Sequence, residues 1–148
     1  MKDDILFYGV ECRLPREVEI FWRSHYHEIS GYDYKFDHIT LGHRSNMSME
    51  TLIPVMINEG KLVIFSIDAV GTYIKDDSQI IAFRVKENKV ALYTRMKLEY
   101  MKGANKTFHI TAFIQGDKVK PKDSNKIRKW YKIPEFSIVG KLKIWRKG

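Results

Sequence analysis

The chain has 148 residues and a mass of 17.5 kDa, which fits one domain over residues 1–148 with a core that needs no covalent staple. Hydrophobic residues at 44% and charged residues at 30% exclude a disordered chain, and a single cysteine, Cys12, excludes a disulfide framework and a Cys-rich zinc module. No apolar run approaches the roughly 18 residues of a membrane span, and Met1-Lys2-Asp3-Asp4 is no signal-peptide start, so a soluble, cytoplasmic monomer with no membrane partner is expected.

The net charge of +8 is unevenly spread. From Arg95 onward there are 15 basic and 4 acidic residues, whereas the first 94 residues hold 11 basic and 14 acidic. A basic half suits an anionic partner, phosphate above all, and it also suits a solvated lysine surface.

In chain order, Ile5 to Val10 reads as a short apolar strand. Pro15 opens a helix on which Val18, Phe21, Trp22 and Ile29 recur at helical spacing. Gly31 to Tyr34 reads as a loop and Phe36 to Leu41 as a strand. Ser48 with Thr51 opens a second helix through Met56, with Pro54 in its first turns. Leu62 to Val70 and Gln79 to Val85 are strands separated by a turn near Asp76-Asp77. Lys89 to Thr94 suits another strand, while Lys97 to Asn105 fits neither pattern. Thr107 to Ile114 reads as a strand, Ser124 to Trp130 as a short basic helix and Phe136 to Trp145 as a closing strand. The mixture predicts an α+β fold.

Two tripeptides recur at one offset. His38-Ile39-Thr40 returns as His109-Ile110-Thr111 and Phe65-Ser66-Ile67 as Phe136-Ser137-Ile138, each 71 residues later. The chain reads as two copies of one strand–helix–strand unit. Side chains alternate along a strand, so His38 shares a face with Thr40, and His109 with Thr111, while the isoleucines turn to the core. Packed about a pseudo-twofold axis, two imidazoles and two hydroxyls converge on one cleft. One neutral imidazole then takes a proton from the attacking hydroxyl or water, and the other, protonated, supplies one to the leaving oxygen. The threonines donate to the non-bridging phosphate oxygens. Neither a cofactor nor a metal is required, and the constellation suits a phosphodiester.

These motifs resemble the two-histidine (2H) phosphoesterases. The nearest likeness is to the cyclic phosphodiesterase domain of tRNA ligases and to 2′,3′-cyclic nucleotide phosphodiesterases. It is carried by Asp37-His38-Ile39-Thr40-Leu41-Gly42-His43-Arg44, by Val119-Lys120-Pro121-Lys122-Asp123-Ser124-Asn125 after the second motif, and by Phe136 to Leu142. The resemblance implies a bilobal fold with internal pseudo-twofold duplication, its antiparallel strands lining a central groove and its helices outside. It makes His38 and His109 the acid/base pair and Thr40 and Thr111 the phosphate ligands. It further implies a nucleotide or RNA phosphodiester substrate, attacked by water activated near His109, with the leaving ribose oxygen protonated from the His38 side. The chain is expected to stand without the ligase and kinase domains of a tRNA-sealing enzyme, so a second likeness stands beside the first. Phage anti-CBASS nucleases and viral enzymes that cut 2′,5′-oligoadenylate are also small two-histidine proteins; for that group Tyr8, Glu135 and Trp145 are the candidate contacts, in the host cytoplasm. A non-catalytic RNA-binding domain is the third reading.

Further binding candidates are Tyr8 and Trp145 as base platforms, Arg44 in the phosphate groove, and Lys120 and Lys122 as anion-steering residues whose turn aims backbone N–H groups at phosphate. His25 and His27 are badly spaced for metal on a helix, with Cys12 or His43 as completing ligands.

Overall fold

The computed structural model describes residues 4–27, 32–43, 49–86, 91–92 and 108–148. Runs of branched and aromatic residues in these segments pair into strands, because such side chains pack well on a pleated surface. The elements are β1 (Ile5–Cys12), α1 (Arg16–His27), β2 (Tyr32–Tyr34), β3 (His38–His43), α2 (Met49–Asn58), β4 (Leu62–Lys75), β5 (Ser78–Val85), β6 (Ala91–Leu92), β7 (His109–Gln115), a 3-10 turn (Pro121–Lys126) and β8 (Trp130–Arg146). The fold is α+β. One antiparallel sheet runs in the order β2-β7-β5-β4-β8-β1-β3, with β6 added beside β4.

The centre of this sheet is the β4–β8 pair, where the two Phe-Ser-Ile stretches lie against each other. Phe65 faces Ile138, Ser66 faces Ser137 and Ile67 faces Phe136. Outward on one side come β5 and β7, and on the other β1 and β3. The two flanks share a register. Glu11, Val10 and Gly9 of β1 face His38, Ile39 and Thr40, just as Arg84, Phe83 and Ala82 of β5 face His109, Ile110 and Thr111. Both ladders then slip at the next residue, between Tyr8 and Gly9 and between Ile81 and Ala82. Gly9 occupies the first slip because a β-carbon there would stand 1.9 Å from the Ile39 carbonyl oxygen.

Residues 32–43 carry both outer ladders. Lys35 N–H donates to the Ala112 carbonyl at 2.6 Å, still in the β2–β7 register, and Cys12 N–H donates to the Asp37 carbonyl at 2.9 Å, already in the β1–β3 register. Only Phe36, buried against Phe83, lies between. A chain covers at most about 3.6 Å per residue, so the sheet has to curl until β3 and β7 meet. They are in contact.

The core fills one face of the sheet with Tyr8, Val10, Ile39, Leu41, Phe65, Ile67, Phe83 and Ile110, all essentially sealed from solvent. Burying each aromatic or branched side chain of this kind contributes about 1.5–3 kcal/mol. From α1, Trp22 meets Phe83 edge-on at 5.2 Å, while Phe21, expected on the same apolar face, is 64% exposed. From α2, Leu52 and Val55 join the core. No helix among the described residues is long and apolar enough to cross a membrane.

Several boundaries differ from the sequence reading. Tyr32–Tyr34 is a strand rather than a loop, because its partner is β7, some eighty residues away, and no local pattern announces that pairing. The basic helix expected over Ser124 to Trp130 is a 3-10 turn that begins earlier, at Pro121, whose fixed φ suits a first turn. Trp130 already belongs to β8. Gly31, Ser48 and Lys97 to Asn105 lie outside the described residues, as does most of Lys89 to Thr94.

Candidate active site

Along β3 and β7 burial alternates in step. Ile39 and Leu41 are sealed and His38 and Thr40 part-exposed; Ile110 and Ala112 are sealed and His109 and Thr111 part-exposed. Both histidines and both threonines therefore stand on the face of the sheet opposite the core. Continuing the β2–β7 register from Tyr34↔Phe113 through Lys35 and Ala112 leads to residues 38 and 109 as opposite positions. The curl of the sheet thus brings the two motifs toward each other although β1, β8, β4 and β5 separate them within it.

The neighbours of the two histidines differ. His38 Nδ1 lies 2.5 Å from Asp37 Oδ1, a contact that fixes which way the ring is turned. Its cross-strand neighbour is Glu11, bonded to Lys143 Nζ at 2.8 Å, and that bond holds the Glu11 carboxyl below its ordinary range. Two aromatic rings complete the surroundings. Phe7 and Trp145 stack at 4.5 Å and 17°, with the His38 ring 5.0 Å from the first and 5.3 Å from the second. Lys143 Nζ stands 5.1 Å from the Trp145 ring centre, a cation–π distance.

On the other flank, Arg84 is the cross-strand neighbour of His109 and grips Asp68 with two bonds of 3.1 and 3.3 Å. Thr111 Oγ1 lies 2.7 Å from Ser124 Oγ and 3.4 Å from the Pro121 carbonyl oxygen. The turn that carries Ser124 is held by Asp123. Its carboxylate accepts the Lys120 amide at 2.9 Å and pairs with Lys126 at 3.0 Å. Those two partners, the amide first, keep Asp123 ionised to lower pH than an ordinary aspartate.

No family model, curated protein or solved structure matches the chain. The geometry alone therefore sorts the sequence candidates.

His38, Thr40, His109 and Thr111 share the polar face, and Trp145 stands against His38. Lys120 and Lys122 are exposed and flank Pro121 beside Thr111. The Lys120 amide, expected to reach for phosphate, is instead taken by Asp123. Tyr8 requires correction. It is 0% exposed, with its ring against Gly42, and cannot serve as a base platform. Phe7 takes the outward position, and sequence reasoning passed over it. The signal was present in parity: Tyr8 falls in step with Val10 and Cys12, the apolar set, and Phe7 with Glu11. Arg44 lies outside the described residues, as do the side chains of His25 and His27. Cys12 is buried, and burial pushes its thiol far up, so it serves neither as nucleophile nor as ligand on this face.

Proposed function

We propose that this chain is a metal-independent phosphodiesterase of the two-histidine kind, built from two copies of one unit and acting in the cytoplasm on the 2′,3′-cyclic phosphate of RNA ends or nucleotides. The observation that carries the reading is the placement of two His-x-Thr motifs, in the same register on equivalent strands, on one polar face of a sheet whose curl makes those strands touch. The internal duplication is supported by the strand order outward from β4–β8, by the shared ladder slips, and by the tripeptides that meet at Ser66 and Ser137.

In this reading His109 takes a proton from water, and the water oxygen bonds to phosphorus. The bond from phosphorus to the leaving ribose oxygen breaks, and that oxygen receives the proton His38 delivers, leaving a 2′-phosphate. Thr40 and Thr111 donate to the non-bridging oxygens as negative charge builds there. Asp37 holds the His38 ring. Trp145 with Phe7 offers a stacking surface for the nucleobase beside His38, and Lys120, Lys122 and Lys143 supply positive charge.

A second reading has one observation in its favour. Of the contacts expected for a counter-defence nuclease, Trp145 stands beside His38, which suits a cyclic oligonucleotide or 2′,5′-oligoadenylate messenger. Glu135 is ion-paired with Lys86 at 3.5 Å.

The test is product analysis in the presence of EDTA on 2′,3′-cyclic mononucleotides, an RNA with a cyclic end, cyclic dinucleotides and 2′,5′-oligoadenylate. Cleavage is expected for at least one, fastest for the 2′,3′-cyclic phosphates. Fastest cleavage of a messenger selects the second reading, and no cleavage of any leaves a nucleic-acid-binding domain.

A further inference from the structure

Thr111 has a single hydroxyl proton, and the oxygens around it determine where that proton goes. Ser124 is 1% exposed, and among the described residues Thr111 Oγ1 is the group its hydroxyl meets, at 2.7 Å. Were Thr111 the donor in that bond, the Ser124 proton would be buried without an acceptor, a costly arrangement. Ser124 is therefore the donor. The Thr111 proton is left with the Pro121 carbonyl at 3.4 Å, beyond the usual 2.5–3.0 Å of an O–H···O bond, and a phosphate oxygen would displace that weak contact readily.

We propose that Ser124 is a positioning residue that satisfies Thr111 Oγ1 as an acceptor and so keeps the Thr111 proton available for a phosphate oxygen. The 3-10 turn makes this possible. Asp123 ties the turn at the Lys120 amide and at Lys126, the Ile127 amide donates to the Ser124 carbonyl at 3.2 Å, and the hydroxyl is delivered under β7. The Ser124 contact is made to the second motif. The position 71 residues before Ser124 is Ile53, 47% exposed on α2, so the 71-residue offset does not carry this serine. The inference rests on the phosphodiesterase reading for the identity of the anion.

The test is a double-mutant cycle of Ser124→Ala and Thr111→Val on the substrate the wild-type protein cleaves fastest. Ser124→Ala is expected to lower kcat roughly three- to tenfold, with KM changed less than twofold, because the contact matters most as phosphate charge builds. In the Thr111→Val background the same change should have no further effect, whereas it should act fully in Thr40→Val. An additive loss in Thr111→Val, or an unchanged kcat in the single variant, overturns the proposal. Thermal melting of each variant separates this from misfolding. If the wild-type protein cleaves nothing, the phosphodiesterase reading has failed, and the cycle is read by inorganic phosphate titration followed by NMR. A roughly three- to tenfold weaker affinity for Ser124→Ala, absent in Thr111→Val, then supports the positioning role, and equal affinities overturn it.

Discussion

The β3–β1–β8 flank and the β7–β5–β4 flank match in strand order outward from the sheet centre and differ in what decorates them. Their motifs pair in the same register and their ladders slip at the same place. Yet the residue before the first motif is Asp37, bonded to His38, while the residue before the second is Phe108, which is buried. Across the strand the neighbours carry opposite charge, Glu11 beside His38 and Arg84 beside His109. The first flank adds the Phe7–Trp145 stack; the second adds Ser124 behind Thr111. What the two flanks share are the strand positions of the two His-x-Thr motifs; the residues around those motifs differ. Such a difference suits the proposed reaction, in which the two imidazoles would take unequal parts.

The largest effect should come from breaking the part the flanks share. His38→Ala and His109→Ala are each expected to cost about a hundredfold or more in kcat/KM. His43→Ala, on the same strand as the first motif, should stay within about threefold. Equal losses from all three, measured on the fastest substrate, would mean that histidine content rather than the repeated positions matters.

Next comes the backbone beneath one motif. Gly9→Ala would press a β-carbon onto the Ile39 carbonyl opposite the ladder slip, at a cost of about 1–3 kcal/mol. The equivalent position on the other flank is already Ala82. Thermal melting should therefore show Gly9→Ala well below wild type and Ala82→Gly only slightly changed.

The aromatic stack separates the flanks further. Trp145→Ala should raise KM roughly five- to thirtyfold, with a smaller effect on kcat, as a lost base-stacking surface does. Steady-state kinetics check it, and a kcat loss with unchanged KM would place Trp145 in support of His38 instead.

The smallest expected effect is one of acidity. Glu11, Glu59 and Asp123 are held below the ordinary carboxylate range, chiefly by hydrogen bonds from Lys143, Arg146 and the Lys120 amide respectively. A carboxyl whose folded value is depressed stabilises the protein above its ordinary range and loses that contribution as pH falls toward the folded value. Melting temperature should be flat from about pH 7 to 5 and decline below about pH 4. In Asp123→Asn part of that decline should disappear.

Much of this was legible in the chain. The 71-residue offset picks out both motif strands and the Phe-Ser-Ile stretches that meet at the sheet centre. Strand parity also puts His38 and Thr40 away from the core. The rest depends on partners distant in sequence. β2 is a strand only because β7 is beside it, and Ser124 reaches Thr111 only because a 3-10 turn folds back. The outward aromatic of β1 is Phe7 rather than Tyr8, and the parity of Val10 and Cys12, which Tyr8 shares, is the signal that separates them.

The most direct test of the account is the pH dependence of wild-type kcat/KM in EDTA, set beside the residual activities of His38→Ala and His109→Ala. One imidazole must be neutral and the other charged, so the wild-type profile should be a bell, and each variant should lose a different limb of it. A wild-type profile with a single limb, or two variants that keep the same bell, would contradict the two-histidine mechanism.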